Sequence, residues 1–577
     1  MRYLKASLAG VSAVAALALL DGARNAYGDF LPLRGYSPLH AHVMAPQEGL
    51  FLGLYAVLGG LAVLALAACA VSLTRWPIAR RLADLAAKLP AWAWLAGGGA
   101  WAALASLVVA REVLHGAFLT DDEMAMLFQA RLLVEGRLWA DPPPFPDVLH
   151  YAMMVESPRW YGIYPVGHPA ALALSLLLTG DPRLIVALIA AGWVVASHLL
   201  AARLFDRPTA VVATVLLCLS PFFVLSSGSL ASELTSGLFL LLAANAAVRA
   251  EDRPALASVA LGLCLGAAYL VRPWTALALG LPLACRVGWL WLRKELPLWS
   301  PALVLACAVP FALAYLGVND ATTGSTWLTP YEVNFPDRFR LGFGQDAFGV
   351  THTPRLALAV AGLTLLELDA WTLGWPLSLL PVVGCVALER PSGRALAVLA
   401  APAVLLVAHL PVPMAGVHDT GPIYYLEALP ALVILAARGL VLAGRRASAF
   451  LDGRGPDLVA WLAVAATVVG VACFWRQQVD VLASLSAFER APYELAERIV
   501  PGRAVVFVEN IQTSPPSSWV LGLRPPRPDL SDRIIYANVV RHERAADVLR
   551  WARDRQGWYL SRDRRTGDVS LVPLPRP

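Results

Sequence analysis

Apolar runs of about twenty residues recur along most of this 577-residue chain and are separated by short polar loops. As a helix, each run is long enough to cross a hydrocarbon core of about 30 Å. The first run, Ser7 to Leu20, follows Arg2 and Lys5 as a signal peptide would, but residues 21–24 make a poor cleavage site, so we predict a retained helix. The pattern therefore predicts a polytopic transmembrane helical bundle with about 13 spans.

Basic residues concentrate in alternate loops of this pattern, and their distribution orients the chain. The linker after the second span and later loops are basic at Arg75, Arg80, Arg81 and Lys88, then at Arg203/Arg207, Arg249/Arg253, Arg293/Lys294, Arg390/Arg394 and Arg438/Arg445/Arg446. Because arginine and lysine mark cytoplasmic loops, we predict a cytoplasmic N-terminus and an extracytoplasmic C-terminus in a cell membrane. The chain must then cross the membrane an odd number of times between the first large outer loop and the basic loop at Arg203. Ala170–Leu178 is too short to span, so we predict that it forms an interfacial or re-entrant helix and that about Leu184–Ala202 forms the next span.

The same pattern divides the chain into three parts. Residues 1–90 are predicted to form two N-terminal spans and a cytoplasmic linker, and residues 91–475 the main transmembrane module. The two large outer loops of that module are residues 115–164 and 319–354. After the second loop, the amphipathic stretch Arg355–Glu367 predicts another interfacial helix before a span near Leu373–Leu388.

Residues 476–577 differ in composition from the rest of the chain, because they are charged and broken by prolines. The β-like runs Ala504–Val508, Ile534–Ala537 and Val569–Val572 flank a helical pattern over Glu543–Asp554. We therefore predict a small, soluble α/β domain of about 100 residues on the extracytoplasmic face.

Composition excludes several classes of function. Hydrophobic residues make up 58% of the chain and charged residues 15%, and the net charge of +5 resides in short loops between spans. The basic residues of these loops determine the topology of the chain and do not form a surface for binding nucleic acid. The seven cysteines lie in apolar segments without CxxC or CxxH spacing, so we expect neither disulfides nor a thiolate metal site. No Walker, Rossmann, HExxH or GxSxG signature occurs in a supporting context, so soluble nucleotide chemistry is not indicated.

The most informative polar feature is Asp121-Asp122-Glu123, where an apolar span meets the first large outer loop. The triplet begins a helical pattern that Gly136 would end, so Thr120 or Asp121 would suit as the N-cap. Capping and the positive helix end explain one or two acids. Three acids at a membrane border, where charge is costly, favour a function. The functional hypothesis is a carboxylate that accepts a proton from an acceptor hydroxyl, as a general base.

Further polar residues lie near two other predicted outer helix ends. Tyr164 and His168 belong to a proline-rich segment at the bilayer surface. Tyr164, taken by itself, is better explained as part of an interfacial aromatic belt than as a functional residue. A ring nitrogen of His168 could donate to phosphate, and a structural histidine is an equal alternative. Arg272 precedes Pro273-Trp274, where it would either snorkel to the interface or clamp a phosphate through its planar donors.

Two more segments place polar groups on the outer side. Glu233 follows a serine-rich turn, where the serines could cap a helix. A short outer loop and the first turns of a late span contain His418, Tyr424, Tyr425 and Glu427. Polar groups this far into a span favour a lined cavity.

Taken in order, these segments resemble the GT-C glycosyltransferases, in particular the bacterial branch related to protein O-mannosyltransferases and the lipid A aminoarabinose transferase ArnT. The resemblance covers roughly residues 91 to 445 and rests on Asp122-Glu123, Phe128-Gln129-Ala130-Arg131, Gly136-Arg137-Leu138, Tyr164 to Pro169, Arg272-Pro273 and Gly421 to Pro430. It implies a multi-spanning helical fold, a polyprenyl-phosphate-linked sugar as donor, and transfer on the outer face to a lipid, glycan or protein. The first two spans, the terminal domain and Asp121 lie outside the match. Because Asp122 directly precedes Glu123, we assign it as the family aspartate.

These expectations combine into an inverting membrane glycosyltransferase of the cell envelope. Asp122 would deprotonate the acceptor, Glu123 would orient acceptor or base, and Arg272 with His168 would stabilise the departing phosphate. The scheme needs no cofactor, although the triplet that begins at Asp121 offers hard oxygen ligands to a divalent metal. Two alternatives stay open. One is a transporter or flippase of a lipid-linked glycan, for which we see no paired halves with broken helices; the other is a non-catalytic assembly protein that binds partners through its outer domain.

Overall fold

A computed structural model describes residues 45–73, 91–151, 153–336, 341–345, 351–413, 419–509, 523–538, 542–562 and 568–575, with shorter stretches between residues 7 and 19, between 77 and 90, and at 416. Helices dominate these residues. In chain order they are α1 (Ala45–Leu54), α2 (Gly60–Leu73), α3 (Ala91–Val108), α4 (Asp121–Val134), α5 (Gly167–Thr179), α6 (Arg183–Leu204), α7 (Arg207–Cys218), α8 (Pro221–Ser226), α9 (Glu233–Val248), α10 (Pro254–Val271), α11 (Pro273–Leu292), α12 (Ser300–Thr323), α13 (Pro330–Asn334), α14 (Pro354–Leu373), α15 (Leu380–Leu388), α16 (Gly393–Leu399), α17 (Ala401–His409), α18 (Leu429–Ser448), α19 (Gly455–Gly470), α20 (Arg476–Ile499) and α21 (His542–Trp551).

Short irregular helices and strands complete the list of elements. The π-helical turns are Tyr55–Gly59, Val109–Val113 and Val471–Trp475, and a 3-10 helix, Ile423–Ala428, leads into α18. The strands are β1 (Met154–Val155), β2 (Tyr161–Gly162), β3 (Gly344–Gln345), β4 (Thr351–His352), β5 (Ala504–Val508), β6 (Ile534–Asn538), β7 (Gln556–Arg562) and β8 (Val569–Pro573).

Nine helical segments of the described chain are long and apolar enough to cross a membrane. They are Gly49–Ser72, Ala91–Val113, Arg183–Leu204, Pro254–Val271, Pro273–Leu292, Ser300–Thr323, Pro354–Leu373, Ile423–Ser448 and Gly455–Ile499. Further predicted crossings fall on the shorter helices α7, α9 and the pair α16 and α17. The first predicted span, Ser7–Leu20, is helical at each of its described residues, which are 7, 9–16, 18 and 19. Helix α5 has 13 residues, too few to span, as the pattern over Ala170–Leu178 predicts. The polytopic helical architecture expected from the sequence is thus confirmed.

The structure corrects the prediction around residue 370. In place of an interfacial helix over Arg355–Glu367 and a span near Leu373–Leu388, the chain forms α14, which is itself long enough to span, and then the separate helix α15. Gly374, with a φ of 70°, ends α14, since a left-handed residue cannot continue a right-handed helix. The acids that suggested a membrane surface face protein: Glu367 is 1% exposed, and Asp369 Oδ1 accepts from the Leu379 N–H at 2.8 Å.

The terminal residues contain the predicted small α/β unit. Its sheet has the order β6-β5-β7-β8, with β5 parallel to β6 and β7, and β8 antiparallel to β7. Residues 504–507 of β5 are all buried, as is typical of a strand inside a parallel sheet. The domain boundary expected at residue 476 falls inside one continuous helical segment, Gly455–Ile499.

This sheet domain packs on the first outer loop. Phe128 of α4 and Trp160 belong to the same buried cluster as residues of β5 and β6, and their rings lie 4.7 Å apart. The Tyr151 hydroxyl donates to the Tyr536 carbonyl of β6 at 2.8 Å, with both side chains buried. Helix α4 is therefore held between the helical bundle and the terminal sheet.

Candidate active site

Helix α4 begins at Asp121 because Thr120 caps it. The Thr120 backbone is extended, and its Oγ1 accepts a hydrogen bond from the Glu123 N–H at 3.3 Å. One such oxygen satisfies the cap, so the carboxylates of Asp121 and Asp122 are not needed for it. Successive helical residues are rotated by about 100°, so the three acids of the first turn face three different surroundings.

Glu123 faces the interior and is 2% exposed. Its carboxylate accepts hydrogen bonds from the backbone N–H groups of Leu119 at 2.9 Å and Leu230 at 2.8 Å. Burial raises the pKa of Glu123 to about 7, although these two donors pull it down. Glu123 therefore ties the start of α4 to the loop that precedes α9.

Asp121 faces the terminal domain, where it lies within electrostatic range of Tyr493 on α20. Asp122 instead faces the end of the helical bundle. The Tyr164 hydroxyl donates a hydrogen bond to the Asp122 carboxylate, which also lies within electrostatic range of Glu233 and Arg272. Burial raises the pKa of Asp122 to about 6, and the Tyr164 hydrogen bond partly offsets this rise. A carboxylate with such a pKa is well suited to accept a proton near neutral pH.

Two close contacts place Tyr164 and Arg272 on the same side of the bundle. Gln129 of α4 donates its side-chain amide to the Tyr164 carbonyl at 2.7 Å, which fixes the segment after β2. At the start of α5, a Cβ on Gly167 would lie 2.7 Å from the Leu270 carbonyl oxygen, so only glycine allows this approach. Because Leu270 is near the end of α10, the contact brings the Tyr164 segment close to Arg272.

Arg272 lies between α10 and α11 and makes two ion pairs. Its Nη1 lies 2.5 Å from Glu233 Oε1, and its Nε lies 3.1 Å from Glu427 Oε1. The guanidinium also lies over the Tyr424 ring, 5.8 Å from its centroid. Burial lowers the pKa of Arg272, but Glu233, Glu427 and Asp122 outweigh this and raise it, so the side chain stays charged. The two glutamates, on α9 and on the 3-10 helix, thus fix the orientation of the guanidinium.

The 3-10 helix carries the late polar cluster predicted from the sequence. Tyr424 and Glu427 face Arg272, whereas Tyr425 forms a hydrogen bond with Thr364 of α14. The turn before it depends on Gly421, which has a φ of 109° and approaches Trp371 so closely that a Cβ would lie 2.8 Å from the ring. The predicted site residue His418 lies outside the described residues.

His168 is fully buried, and protein groups engage both of its ring nitrogens. Nε2 lies 2.7 Å from the Leu230 carbonyl, and Nδ1 lies 2.8 Å from Thr235 Oγ1. Burial lowers the pKa of His168 to about 4, so the neutral ring donates through Nε2 and accepts through Nδ1. This geometry favours the structural alternative over a phosphate contact. His168 and Glu123 together clamp the backbone of Leu230.

Two aromatic residues near the site were not anticipated from the sequence. Tyr331, on the short helix α13 of the second outer loop, lies within electrostatic range of Asp122 and Tyr424. The His409 ring, at the end of α17, lies 5.4 Å from the ring of Tyr424 and 5.2 Å from that of Tyr425. Neither belongs to a motif, and only membership of the loop 319–354 pointed to Tyr331.

No metal centre can be assigned from the residues that the structure describes, because no three of their His, Cys, Asp or Glu side chains form a group suited to an ion. The described site instead joins one carboxylate of raised pKa, Asp122, to one oriented guanidinium, Arg272. This pair can accept a proton and bind an anion on adjacent sides of one site.

The fold is similar to that of a solved protein, ArnT. It matches the structure of ArnT from Cupriavidus metallidurans bound to undecaprenyl phosphate with a TM-score of 0.52 at 14% sequence identity, over 84% of this chain and 98% of that chain. The apo form of that protein gives 0.49 at 15% identity, over 82% and 93%. The oligosaccharyltransferase of Archaeoglobus fulgidus in its apo form gives 0.39 at 12% identity, over 72% and 62%.

Sequence comparisons add nothing to this likeness: no family model matches the chain, and no curated protein matches it significantly. The multi-spanning helical fold implied by the resemblance inferred from short motifs is therefore confirmed. The fold also makes the chain a multi-pass membrane protein.

Proposed function

We propose that this chain is a membrane glycosyltransferase that takes its sugar from a polyprenyl-phosphate donor and transfers it, with inversion, to a lipid, glycan or protein on the extracytoplasmic face. The observation that carries the proposal is the position of Asp122 within electrostatic range of Arg272 at one end of a bundle with the fold of ArnT. The ArnT structure was solved with undecaprenyl phosphate bound, which supports a lipid phosphate as the donor class here.

In the proposed reaction, Asp122 accepts the proton of the acceptor hydroxyl as its oxygen attacks the anomeric carbon of the sugar. A bond forms between that oxygen and the anomeric carbon, while the bond from the anomeric carbon to the phosphate oxygen breaks. The bonding electrons leave with the polyprenyl phosphate, and Arg272 stabilises the charge that develops there. A single in-line displacement of this kind inverts the anomeric configuration.

Glu233 and Glu427 act as positioning residues in this scheme. Their ion pairs engage Nη1 and Nε of Arg272, and no hydrogen bond from the described residues engages its Nη2. That nitrogen is the donor proposed to contact the phosphate. Tyr164 keeps the Asp122 carboxylate oriented through its hydroxyl hydrogen bond.

Turnover assays with a panel of radiolabelled polyprenyl-phosphate sugars test the function. The proposal expects the label to move from at least one donor to an acceptor in a membrane extract, with release of polyprenyl phosphate. A flippase would change the leaflet of the labelled lipid and leave its glycosidic bond intact. Binding without either change would identify a non-catalytic assembly protein.

A further inference from the structure

A groove opens on the side of the bundle between α6, α9 and α10, at the helix ends remote from Asp122 and Arg272. Its volume is about 460 Å³. Along its length it is lined by apolar side chains such as Leu238, Leu242 and Leu256, and Leu242 and Leu256 are 39% and 56% exposed. Leu242 and Leu256 face outward from the bundle, where a membrane would surround them with hydrocarbon.

Three arginines converge at one end of this groove. Arg203 lies in the last turn of α6, Arg249 follows α9, and Arg253 precedes α10. The guanidinium of Arg203 is oriented by a hydrogen bond to Asn245 Oδ1 at 2.6 Å, and Asn245 is itself fixed by bonds to the backbone. Of the two acids in the same loop, Glu251 is engaged by Arg286 at 2.7 Å, and Asp252 is exposed. The positive-inside rule accounts for basic residues in this loop, but it does not require them to line one groove.

The length of the groove matches one leaflet of a bilayer. On α6 it extends from Arg203 back to Gly192, and on α10 from Arg253 to Cys264. Each stretch covers eleven helical steps, about 17 Å at a rise of about 1.5 Å per residue. Half of a hydrocarbon core of about 30 Å is about 15 Å. In a bilayer crossed by these helices, the guanidinium groups would lie at the depth of lipid headgroups, and the leucines at the depth of acyl chains.

We propose that this groove is a binding site for an anionic glycerophospholipid of the leaflet on the side of the basic loops. The phosphate lies among Arg203, Arg249 and Arg253, and one acyl chain follows the leucines toward the bilayer centre. The site is separate from the proposed donor site, which lies at the opposite helix ends. Loop charge predicts that this leaflet is the cytoplasmic one.

Native mass spectrometry of the purified protein tests the proposal. Titration with phosphatidylglycerol should give tighter retention than titration with phosphatidylethanolamine of the same acyl chains. The double variant Arg249→Gln/Arg253→Gln should weaken phosphatidylglycerol binding about fivefold per arginine and leave phosphatidylethanolamine binding unchanged. The matched control, Arg293→Gln/Lys294→Gln, removes two charges from a neighbouring basic loop and should have no effect.

A second variant tests the groove without changing charge. Ala260 lines the groove, so Ala260→Phe should fill it and weaken phosphatidylglycerol retention while all three arginines remain. Equal retention of the two lipids, or an equal loss in the control variant, would reduce the arginines to topology determinants. If the groove variants instead weaken retention of undecaprenyl phosphate alone, the occupant is a different lipid and the proposal is wrong.

Discussion

At the scale of single residues, the side chain that caps α4 and the side chain proposed as the general base are different ones. Thr120 supplies the capping oxygen, Glu123 binds two backbone N–H groups, and Asp122 forms a hydrogen bond with Tyr164 within electrostatic range of Arg272. Since Asp122 does no capping, its carboxylate can be altered without loss of the helix start. This makes an isosteric substitution informative.

We expect Asp122→Asn to fold and insert normally and to lose about a hundredfold or more in transfer, because an amide has no useful proton affinity. Asp121→Asn should be much milder, since Asp121 faces Tyr493 on the other side of the helix. Turnover with the radiolabelled donor measures both. If Asp121→Asn abolishes transfer and Asp122→Asn spares it, the base is one residue earlier than we assign.

Arg272 is expected to contribute mainly to donor handling. Loss of a charge-assisted contact in Arg272→Ala should cost about 1.5 to 3 kcal/mol, or roughly ten- to over a hundredfold in the affected step, and Arg272→Lys should recover only part of this. Donor dependence of the initial rate provides the measurement.

The alanine variant also leaves Glu233 and Glu427 without their cation. The double variant Arg272→Ala/Glu427→Gln should therefore regain stability but not transfer, which separates folding from donor binding. Arg293→Ala, at an exposed arginine paired with Glu295, is the matched control. Normal donor dependence in a well-expressed Arg272→Ala protein would leave Arg272 as an interfacial anchor.

The two acids predict two separable pH effects. Transfer requires ionised Asp122, so it should fall about tenfold per pH unit below its pKa of about 6. The stability of the folded state should change with pH in the opposite direction to the transfer rate. Both folded-state pKa values exceed those of unfolded acids, about 4, so the stabilisation is present below about pH 4 and is lost as pH rises through 6 and 7.

Rate profiles and thermal unfolding scans, each recorded from pH 5 to 8, measure the two effects. Glu123→Gln should cost about 1 to 3 kcal/mol, because an amide has a single acceptor oxygen and leaves one of the two buried backbone donors without a partner. In this variant the stability should depend less on pH near pH 7, and the transfer rate should still fall below about pH 6. If Glu123→Gln shifts the pH at which the transfer rate falls, the ionisation that controls catalysis belongs to Glu123.

The sequence could identify the site residues that share short motifs, but not the partners that decide their roles. Asp122, Glu123, Tyr164 and His168 all stand in recognisable segments. Yet Glu123 and His168 both bind Leu230, which lies 107 and 62 positions away along the chain. A contact of that separation follows from the packing of α4, α5 and the loop before α9, and no local pattern encodes it.

At the scale of elements, α4 depends on the terminal domain that covers it. The Tyr151 hydroxyl bonds to the Tyr536 carbonyl, so Tyr151→Phe should leave a buried carbonyl unsatisfied and cost about 1 to 3 kcal/mol while keeping the ring in place. Because α4 carries Asp122, transfer should also fall at temperatures where the wild type is still active. Thermal unfolding and transfer assays at rising temperature measure this.

The control for this variant lies in the same domain but away from α4. Ser570→Ala removes an exposed hydroxyl that forms a hydrogen bond with the neighbouring Ser561 in the sheet, so its effect should stay within about 0.5 kcal/mol. If Tyr151→Phe is equally silent in both assays, the domain is a tethered module and does not support the site.

Element prediction was most accurate where one local pattern sufficed. The apolar run 504–508 became β5 with the expected bounds, because a buried parallel strand is continuously apolar. Strand β7 was not predicted, since Gln556–Arg562 mixes polar and apolar residues and is stabilised by pairing with β5 and β8. The division between α14 and α15 was misplaced because Glu367 was taken as a surface residue, whereas neighbouring helices bury it.

At the scale of the whole molecule, basic residues serve packing as well as orientation. Arg438 of α18 lies 2.5 Å from Glu389 after α15 and 2.9 Å from Asp206 before α7, so one side chain ties three helices at the face of the basic loops. An arginine with such contacts would be retained in either orientation. Loop charge therefore predicts the orientation of the chain, and a direct measurement has to decide it.

We expect Asp122 and the terminal domain to face away from the cytoplasm. In a background without the seven native cysteines, Ser157→Cys in the first outer loop and Ser531→Cys before β6 should react with an impermeant maleimide in intact cells, since both positions are exposed. Glu295→Cys, exposed in the basic loop between α11 and α12, should react only after the membrane is opened. The reverse pattern would place Asp122 in the cytoplasm and exclude an extracytoplasmic transferase. Labelling of all three in intact cells would instead show that the cells leak, which a cytoplasmic marker protein reports independently.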